Sequence, residues 1–472
     1  MLITFYVGVW IWVDGNNHSN QRSLLSSEFQ YPGARQSSAT WIDDSNNVWM
    51  YGGEGLPQRK TGFVRDLNEL WTFNIKKRKW EYLGPSDIKT TNISKPWPGS
   101  CHGCIACNFH TESVVLMSGS KKEKTLYTMW IYDMLHNSWS SLKYSNDSKT
   151  LPSPRRYASH WCDSRSGTLW VFGGSSVTNQ LLNDMWKFTF KSKMWEKINF
   201  EHVMHQLPIP RFGASTWHHP SGDLYLFGGK SISGLMQDLW IFSCKTLTWK
   251  NLSMSANIEG SAGKYGIFRI PSTKNIPGGR KSGATWVDTI GNLWLFGGSG
   301  YDADTKDIFK ISGLLSDFWV YNPPSNTWAW VGGSKKGEGM PKYGFKGKPS
   351  PSNIPGPRES AITFNIKNQF WMFGGGGHDV TQRDGLLNDL WFYHIPKGKI
   401  YTKYHDLPGD TLNLPIGYKI AISFGAAFVA ILLTLIACYK EDCQKACQEQ
   451  KKHGFNRVKY EPVEVKMQVP SV

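Results

Sequence analysis

Between Pro277 and Trp328 the apolar and polar positions fall into four short runs. They are Ala284-Thr-Trp286, Gly291-Asn-Leu-Trp-Leu-Phe-Gly-Gly298, Asp317-Phe-Trp-Val-Tyr321 and Asn326-Thr-Trp328, each bounded by Gly, Pro, Asn or Ser. Within a run the apolar residues alternate or continue for about five positions, the signature of strands buried on one or both faces. Four such strands cannot bury their aromatic faces alone. They need a neighbour of the same kind, so recurrence is the first thing to seek.

The unit recurs six times. A double glycine follows an apolar run at Gly52-Gly53, Gly173-Gly174, Gly228-Gly229, Gly297-Gly298 and Gly374-Gly375, with a decayed Ser118-Gly119 in the second copy. Downstream stand Trp71, Trp130, Trp186, Trp240, Trp319 and Trp391, then a second Trp at Trp80, Trp139, Trp195, Trp249 and Trp328; the sixth copy has Ile400 there. Arg35, Arg155, Arg211, Arg280 and Arg358 open five copies, each with an aromatic six residues on: Trp41, Trp161, Trp217, Trp286 and Phe364.

Double glycine after an apolar strand, followed by spaced aromatics, resembles the kelch motif over residues 30–400. The resemblance implies an all-β, six-bladed kelch-type β-propeller with one four-stranded sheet per copy. The expected organisation is a lead-in over 1–29, the propeller over 30–405, a stalk over 406–418, a transmembrane helix over 419–440 and a disordered cytoplasmic tail over 441–472.

Leu2–Val13 admits two readings. It is an apolar run like the core of a secretory signal, but it lacks a basic start and small residues at a cleavage point. Trp10-Ile-Trp12-Val-Asp-Gly15 also matches Trp328-Ala-Trp330-Val-Gly-Gly333, a fourth strand. As a strand it completes the sixth copy and closes the last blade, removing free sheet edges. Met1 is then internal to a longer chain.

Ile420–Tyr439 carries no charge and is long enough to cross a bilayer. Lys440, Lys445, Lys451 and Lys452 follow it and only Lys419 precedes it closely, so the positive-inside rule puts the C-terminus in the cytoplasm and the propeller outside or in the lumen, as in a type I single-pass protein of the plasma membrane. Glycosylation triplets at Asn17, Asn92, Asn146 and Asn251 suit that side. Cys438, Cys443 and Cys447 lie where S-acylation occurs. Tyr460-Glu-Pro-Val463 resembles a sorting signal, which implies a clathrin adaptor as partner, and equally reads as a phosphotyrosine docking site.

The net charge of +16 favours anionic partners over cationic ones, and equally suits a diffuse soluble surface. No dense basic run with interleaved aromatics stands outside the repeats, which argues against nucleic acid. Two sets of loops leave the blades. The set after strands one and three is short throughout, as at Asp43–Asn47, Pro220–Asp223 and Asn322–Asn326. The other set is long and variable: Trp249 to Arg280 and Trp328 to Arg358 are about twice as long as Trp139 to Arg155. Long loops on a rigid frame carry binding sites, so the long-loop face is the expected site for a protein or anionic glycan partner, with Met254–Pro277, Ser299–Gly313 and Ser334–Pro355 as its first candidates.

The five arginines have two readings. They ring the channel as anion ligands, or they bridge blades through the carboxylates two residues before the Trp: Glu69, Asp184, Asp238, Asp317 and Asp389. Cys101-x-x-Cys104-x-x-Cys107, with His102 and His110 nearby, reads as a disulfide or buried thiols rather than metal, because alternate strand positions do not converge. Cys162 and Cys244 make five cysteines here, leaving at least one unpaired in the chain. Asp302, Asp304 and Asp307 share a loop without the Gly and Glu that complete a calcium site. His160, His218, His219 and His378 are scattered, so no catalytic set, metal or cofactor is expected; a membrane-anchored binding protein is the first reading, with a propeller enzyme acting on a sugar or as an oxidase, or a membrane-tethered intracellular kelch scaffold, as the alternatives.

Overall fold

The computed structural model describes residues 8–56, 63–85, 96–109, 113–117, 129–143, 151–200, 207–253, 260–305, 313–366 and 369–395. The chain divides into two compact units, Met1–Tyr404 and His405–Val472. The second lies outside the described residues, and with it the span 420–439, Cys438, Cys443, Cys447, Tyr460 and Val463. Asn92, Asn146, His110, Asp307 and the Ser118-Gly119 pair lie outside them as well. Among the described residues there is no α-helix, and no helix is long and apolar enough to cross a membrane.

Among the described residues, six antiparallel sheets of four or five strands carry the fold. In the fifth copy Ala284–Val287 pairs with Leu293–Gly300, then Gly313–Asn322, then Thr327–Gly332. The strand Leu293–Gly300 is buried almost throughout because sheets pack on both of its faces. Short hairpins are held by an aspartate: Asp288 accepts the Asn292 N–H and the Trp294 Nε1–H, and Asp43 does the same for Asn47 and Trp49. Such local side-chain bonds fix tight turns. In the sixth copy the order is Ile362–Ile366, Gln369–His378, Asp384–His394, and then Val9–Asp14, whose Trp10 faces Tyr393.

The core is divided between sheets rather than placed within one. Trp10, Trp286, Trp294, Phe318 and Tyr393 form a cluster between the fifth and sixth copies, and Val48, Trp71, Trp80, Trp371 and Phe392 form one between the first and the sixth. The innermost strands touch in sequence: Ala39–Ile42 with Ile105–Phe109, then Ser159–Asp163, Ser215–His218, Ala284–Val287 and Ile362–Ile366, which returns to Ala39–Ile42.

A cycle of main-chain hydrogen bonds repeats that order. The N–H of Gly103 donates to Ser37, Tyr157 to Gly103, Gly213 to Tyr157, Ser282 to Gly213, Ser360 to Ser282, and Ser37 to Ser360. All six residues have positive φ, between 54° and 65°. Four are not glycine, so tertiary bonding holds them in a region that side chains disfavour.

Candidate interaction face

The recurring arginines occupy one environment five times. Arg280 donates through Nη1 to Asp317 Oδ1 at 2.7 Å and to the Gly297 carbonyl at 3.0 Å, through Nη2 to Asp317 Oδ2 at 2.8 Å, and through Nε to the Gly278 carbonyl. Trp319 Nε1 donates to the same carboxylate at 2.7 Å. Arg35 with Glu69, Arg155 with Asp184, Arg211 with Asp238 and Arg358 with Asp389 repeat the arrangement. All five arginines are buried, and their donors are aimed at their own sheet, which leaves no guanidinium facing open space. Burial opposes charge on Asp184, but Arg155 and the Trp186 indole outweigh it and hold the carboxyl below its ordinary range. The expected carboxylates are the partners, yet they belong to the same copy as the arginine.

The link between copies is made instead by the main chain of these residues. Gly174 N–H donates to the Arg211 carbonyl and Gly229 N–H to the Arg280 carbonyl, both at 2.8 Å. A Cβ on Gly228 would lie 2.5 Å from that Arg280 oxygen, and one on Gly374 would lie 2.7 Å from the Arg35 oxygen. The double glycine is therefore required twice over, by positive φ and by the close approach of the next copy.

In the second copy Cys101 takes the arginine position and is bonded to Cys104, while Cys107 is bonded to Cys162 on the next inner strand. Cys244 is free and half-buried, its thiol pushed up to about 11 by burial and then by the charges of Asp223 and Asp163. No cluster able to hold a metal ion occurs among the described residues. Asp302 is occupied by the Gly337 and Asp304 N–H groups and the Thr305 hydroxyl, and Asp304 pairs with Lys336. His160 and His218 stand on inner strands, where burial holds their pKa values down, whereas His219 bonds Ser221 and His378 contacts Glu338 and Asp384. The four histidines do not converge. Asn251 is exposed and its carbonyl oxygen accepts the Ser253 N–H; Asn17 is half-buried.

The residue after the arginine position is polar in five of the six copies, with Phe212 in the remaining one, and these five build a mixed polar surface. Gln36 bonds Glu54, His102 pairs with Asp66, Lys281 pairs with Glu359, and Arg156 reaches Asn179 and lies over the Tyr157 ring. All are half-buried. They are set by the hairpins that continue past the double glycines, such as Glu54–Gly55 with Arg65–Asp66.

The two longest connections are only partly free. Lys264-Tyr-Gly and Asn275-Ile-Pro in one match Lys342-Tyr-Gly and Asn353-Ile-Pro in the other. Tyr265 donates to Asp317 at 2.8 Å and Tyr343 to Asp389 at 2.7 Å, so each loop is tied to a buried arginine–carboxylate pair. Burial, then the Asp317 charge, pushes the Tyr265 hydroxyl far above its ordinary value. Asn275 Nδ2 donates to the Trp328 carbonyl and Asn353 Nδ2 to the Trp10 carbonyl, which covers the outer strand edge. This twinning was present in the sequence and is the signal that loop length alone conceals. Two cavities border these loops. One of 350 Å³ is lined by Leu252, Lys264, Lys274, Asn326 and Trp328; one of 800 Å³ is lined by Asp14, Arg22, Phe29, Tyr31, Trp80 and Lys346.

The KLHDC2/KLHL20/DRC7 Kelch-repeats domain profile matches residues 106–342, half of the chain. The chain is 25% identical over 255 residues to the dynein alpha chain of the flagellar outer arm of Chlamydomonas reinhardtii, covering 51% of this chain and 5% of that one. It is 23% identical over 223 residues to Kelch domain-containing protein 10 of Rattus norvegicus, covering 46% and 49%. To multiple epidermal growth factor-like domains protein 8 of Homo sapiens it is 26% identical over 275 residues, covering 53% and 9%. The chain thus spans half or less of the length of these relatives. A match across half of the chain, falling on copies whose arginine, glycine and tryptophan positions already superimpose in role, makes this chain a member of the Kelch-repeats domain family.

Proposed function

We propose that the chain is a binding protein: a six-bladed kelch propeller, closed by Val9–Asp14, that engages a protein or anionic glycan through its long-loop face. The observation that carries this reading is the half-buried polar surface at Gln36, His102, Arg156, Lys281 and Glu359, set on a repeated frame. The cycle of contacts between inner strands supports six blades. Binding surfaces on rigid repeats are commonly formed in this way, with the frame uniform and the projecting groups varied.

The reading includes a single-pass anchor over 420–439, with the propeller extracellular or lumenal and the tail cytoplasmic. The span's uncharged length and its flanking lysines support the anchor. The two disulfides support an oxidising compartment, since cytosolic thiols stay reduced. The test is glycosidase-sensitive mobility of the cell-expressed protein, with Asn92, Asn146 and Asn251 each changed to Gln, alongside protease protection on intact cells. A mobility shift that the substitutions reduce is the expected result. A propeller that intact membranes shield on the cytosolic side sinks the topology.

A further inference from the structure

The twin connections carry a feature that the frame does not use. Residues 260–276 contain Lys264, Arg269 and Lys274 and no acidic residue; residues 339–354 contain Lys342, Lys346 and Lys348 and likewise none. The five lysines among these named cations of the two segments are exposed, with Lys335 exposed beside them. Apolar tips project at the same places: Ile267 is 73% and Phe345 is 82% exposed. Rings lie next to the cations, Trp330 and Trp12 half-buried and Phe268 exposed. Lys335 Nζ stands 4.7 Å from the Trp330 ring, Lys346 Nζ stands 4.9 Å from the Trp12 ring, and Arg269 lies over Phe268. Lys346 also approaches Asp14 at 3.4 Å, and the neighbouring Lys336 pairs with Asp304.

We propose that the two loops form one binding surface for a linear polyanionic glycan, bearing sulfate or carboxylate groups on successive sugars. Three observations select this occupant. Lys264 and Lys342 stand at the same place in the two loops and the other four cations are spread along them, an extended array that fits a ligand whose charges repeat better than a single small anion. Ring faces beside ammonium groups offer a sugar both apolar stacking and charge pairing. An acidic peptide adding as a strand finds the outer edges already covered, because Ser272 pairs with Trp328 and Gly347 N–H donates to the Trp12 carbonyl. The proposal rests on the extracellular or lumenal reading above, and it names the ligand class for part of that face.

The test uses the full chain in detergent micelles, titrated with sized heparin oligosaccharides at several salt concentrations. Lys264→Gln with Lys274→Gln, and separately Lys342→Gln with Lys348→Gln, should each weaken binding about tenfold and flatten the salt dependence by roughly two charges. Phe345→Ser should weaken binding several-fold and leave the salt slope unchanged. Lys191→Gln with Lys193→Gln, exposed on the third copy, should change little. Equal loss from that control pair would make the binding diffuse charge and overturn the site. Competition by polyglutamate, or by phosphatidylserine vesicles, as strong as that of heparin would replace the glycan by an acidic polypeptide or a lipid surface. Absence of binding with an unchanged melting transition would also overturn it. A cytosolic propeller in the glycosylation assay defeats the topology while loop-dependent heparin binding stays measurable, so the two failures separate.

Discussion

Replacing Asp317 by Ala is the sharpest test of the frame. Its carboxylate is fully buried and accepts from Arg280 twice, from Trp319 and from Tyr265. Removing it leaves a buried guanidinium without its counter-charge and two further donors without an acceptor. A loss of about 3–5 kcal/mol follows for a broken buried pair. Tyr265→Phe removes one neutral donor to a charged acceptor and should cost about 1.5–3 kcal/mol. The double change Arg280→Met with Asp317→Leu should cost less than Asp317→Ala alone, because it leaves no orphaned charge. Urea unfolding followed by tryptophan fluorescence measures all three, with a shared m-value as the condition for reading midpoints as free energies. If Asp317→Ala costs under about 1 kcal/mol, or the double change costs the sum of its parts, the pair is not what holds this junction.

Three further outcomes follow from the geometry. Gly228→Ala should cost at least about 3 kcal/mol, since it meets both φ +67° and the Arg280 oxygen; Gly222→Ala, at φ +90° with open space around it, should cost only about 1 kcal/mol in the same unfolding assay. Peptide mapping without reductant should recover Cys107 joined to Cys162, and Cys107→Ser with Cys162→Ser should lower stability by about 4 kcal/mol for a closed loop of that separation. Burial opposes charge on Asp379, but bonds from Thr381, Ser19 and Arg383 outweigh it and depress its pKa. A depressed carboxyl stabilises the fold above its unfolded value near about 4 and loses that contribution as pH falls through the folded value. Asp379→Asn should therefore lower stability at neutral pH and flatten the loss on acidification, measured by melts across the acid range; an unchanged acid slope would refute the assignment.

The strands were legible because their aromatic runs are dense and their boundaries carry Gly, Asn and Asp. Asn292-Leu-Trp-Leu-Phe296 reads as a strand wherever it is placed. The arginines were less legible: recurrence pointed toward architecture, but sequence spacing does not say whether Arg280 pairs within its copy or across to the next. The fold decides it by bringing Arg280 and Asp317 together within one sheet. The long connections misled for a related reason. Length suggests freedom, whereas Tyr265 and Asn275 tie the described part of that loop down by fixed bonds, while Ile267 and the lysines stay exposed. The expected span and tail fall outside the described residues and rest on sequence alone.

The second copy shows which parts of the unit are indispensable. It has lost the arginine, the double glycine and the inner-strand Trp, so the buried ion pair of the other copies has no counterpart at Cys101. Yet the Cys101 carbonyl still accepts the Gly53 N–H at 2.7 Å, as arginine carbonyls do elsewhere, and Gly103 keeps its place in the six-membered cycle. The main-chain role survived the loss of the side chain that marks it. What replaces the ion pair is covalent: Cys101 is tied to Cys104 in its own copy, and Cys107 to Cys162 in the next. A copy held by disulfides, with the junction to the third copy that Cys107–Cys162 makes, depends on an oxidising surrounding in a way that the ion-paired junctions do not. Reduction should therefore loosen this copy before the rest, with amide exchange accelerating first in 101–109 and 159–163, and uniform acceleration across all six copies would show that the ion pairs and the disulfides do not share one role.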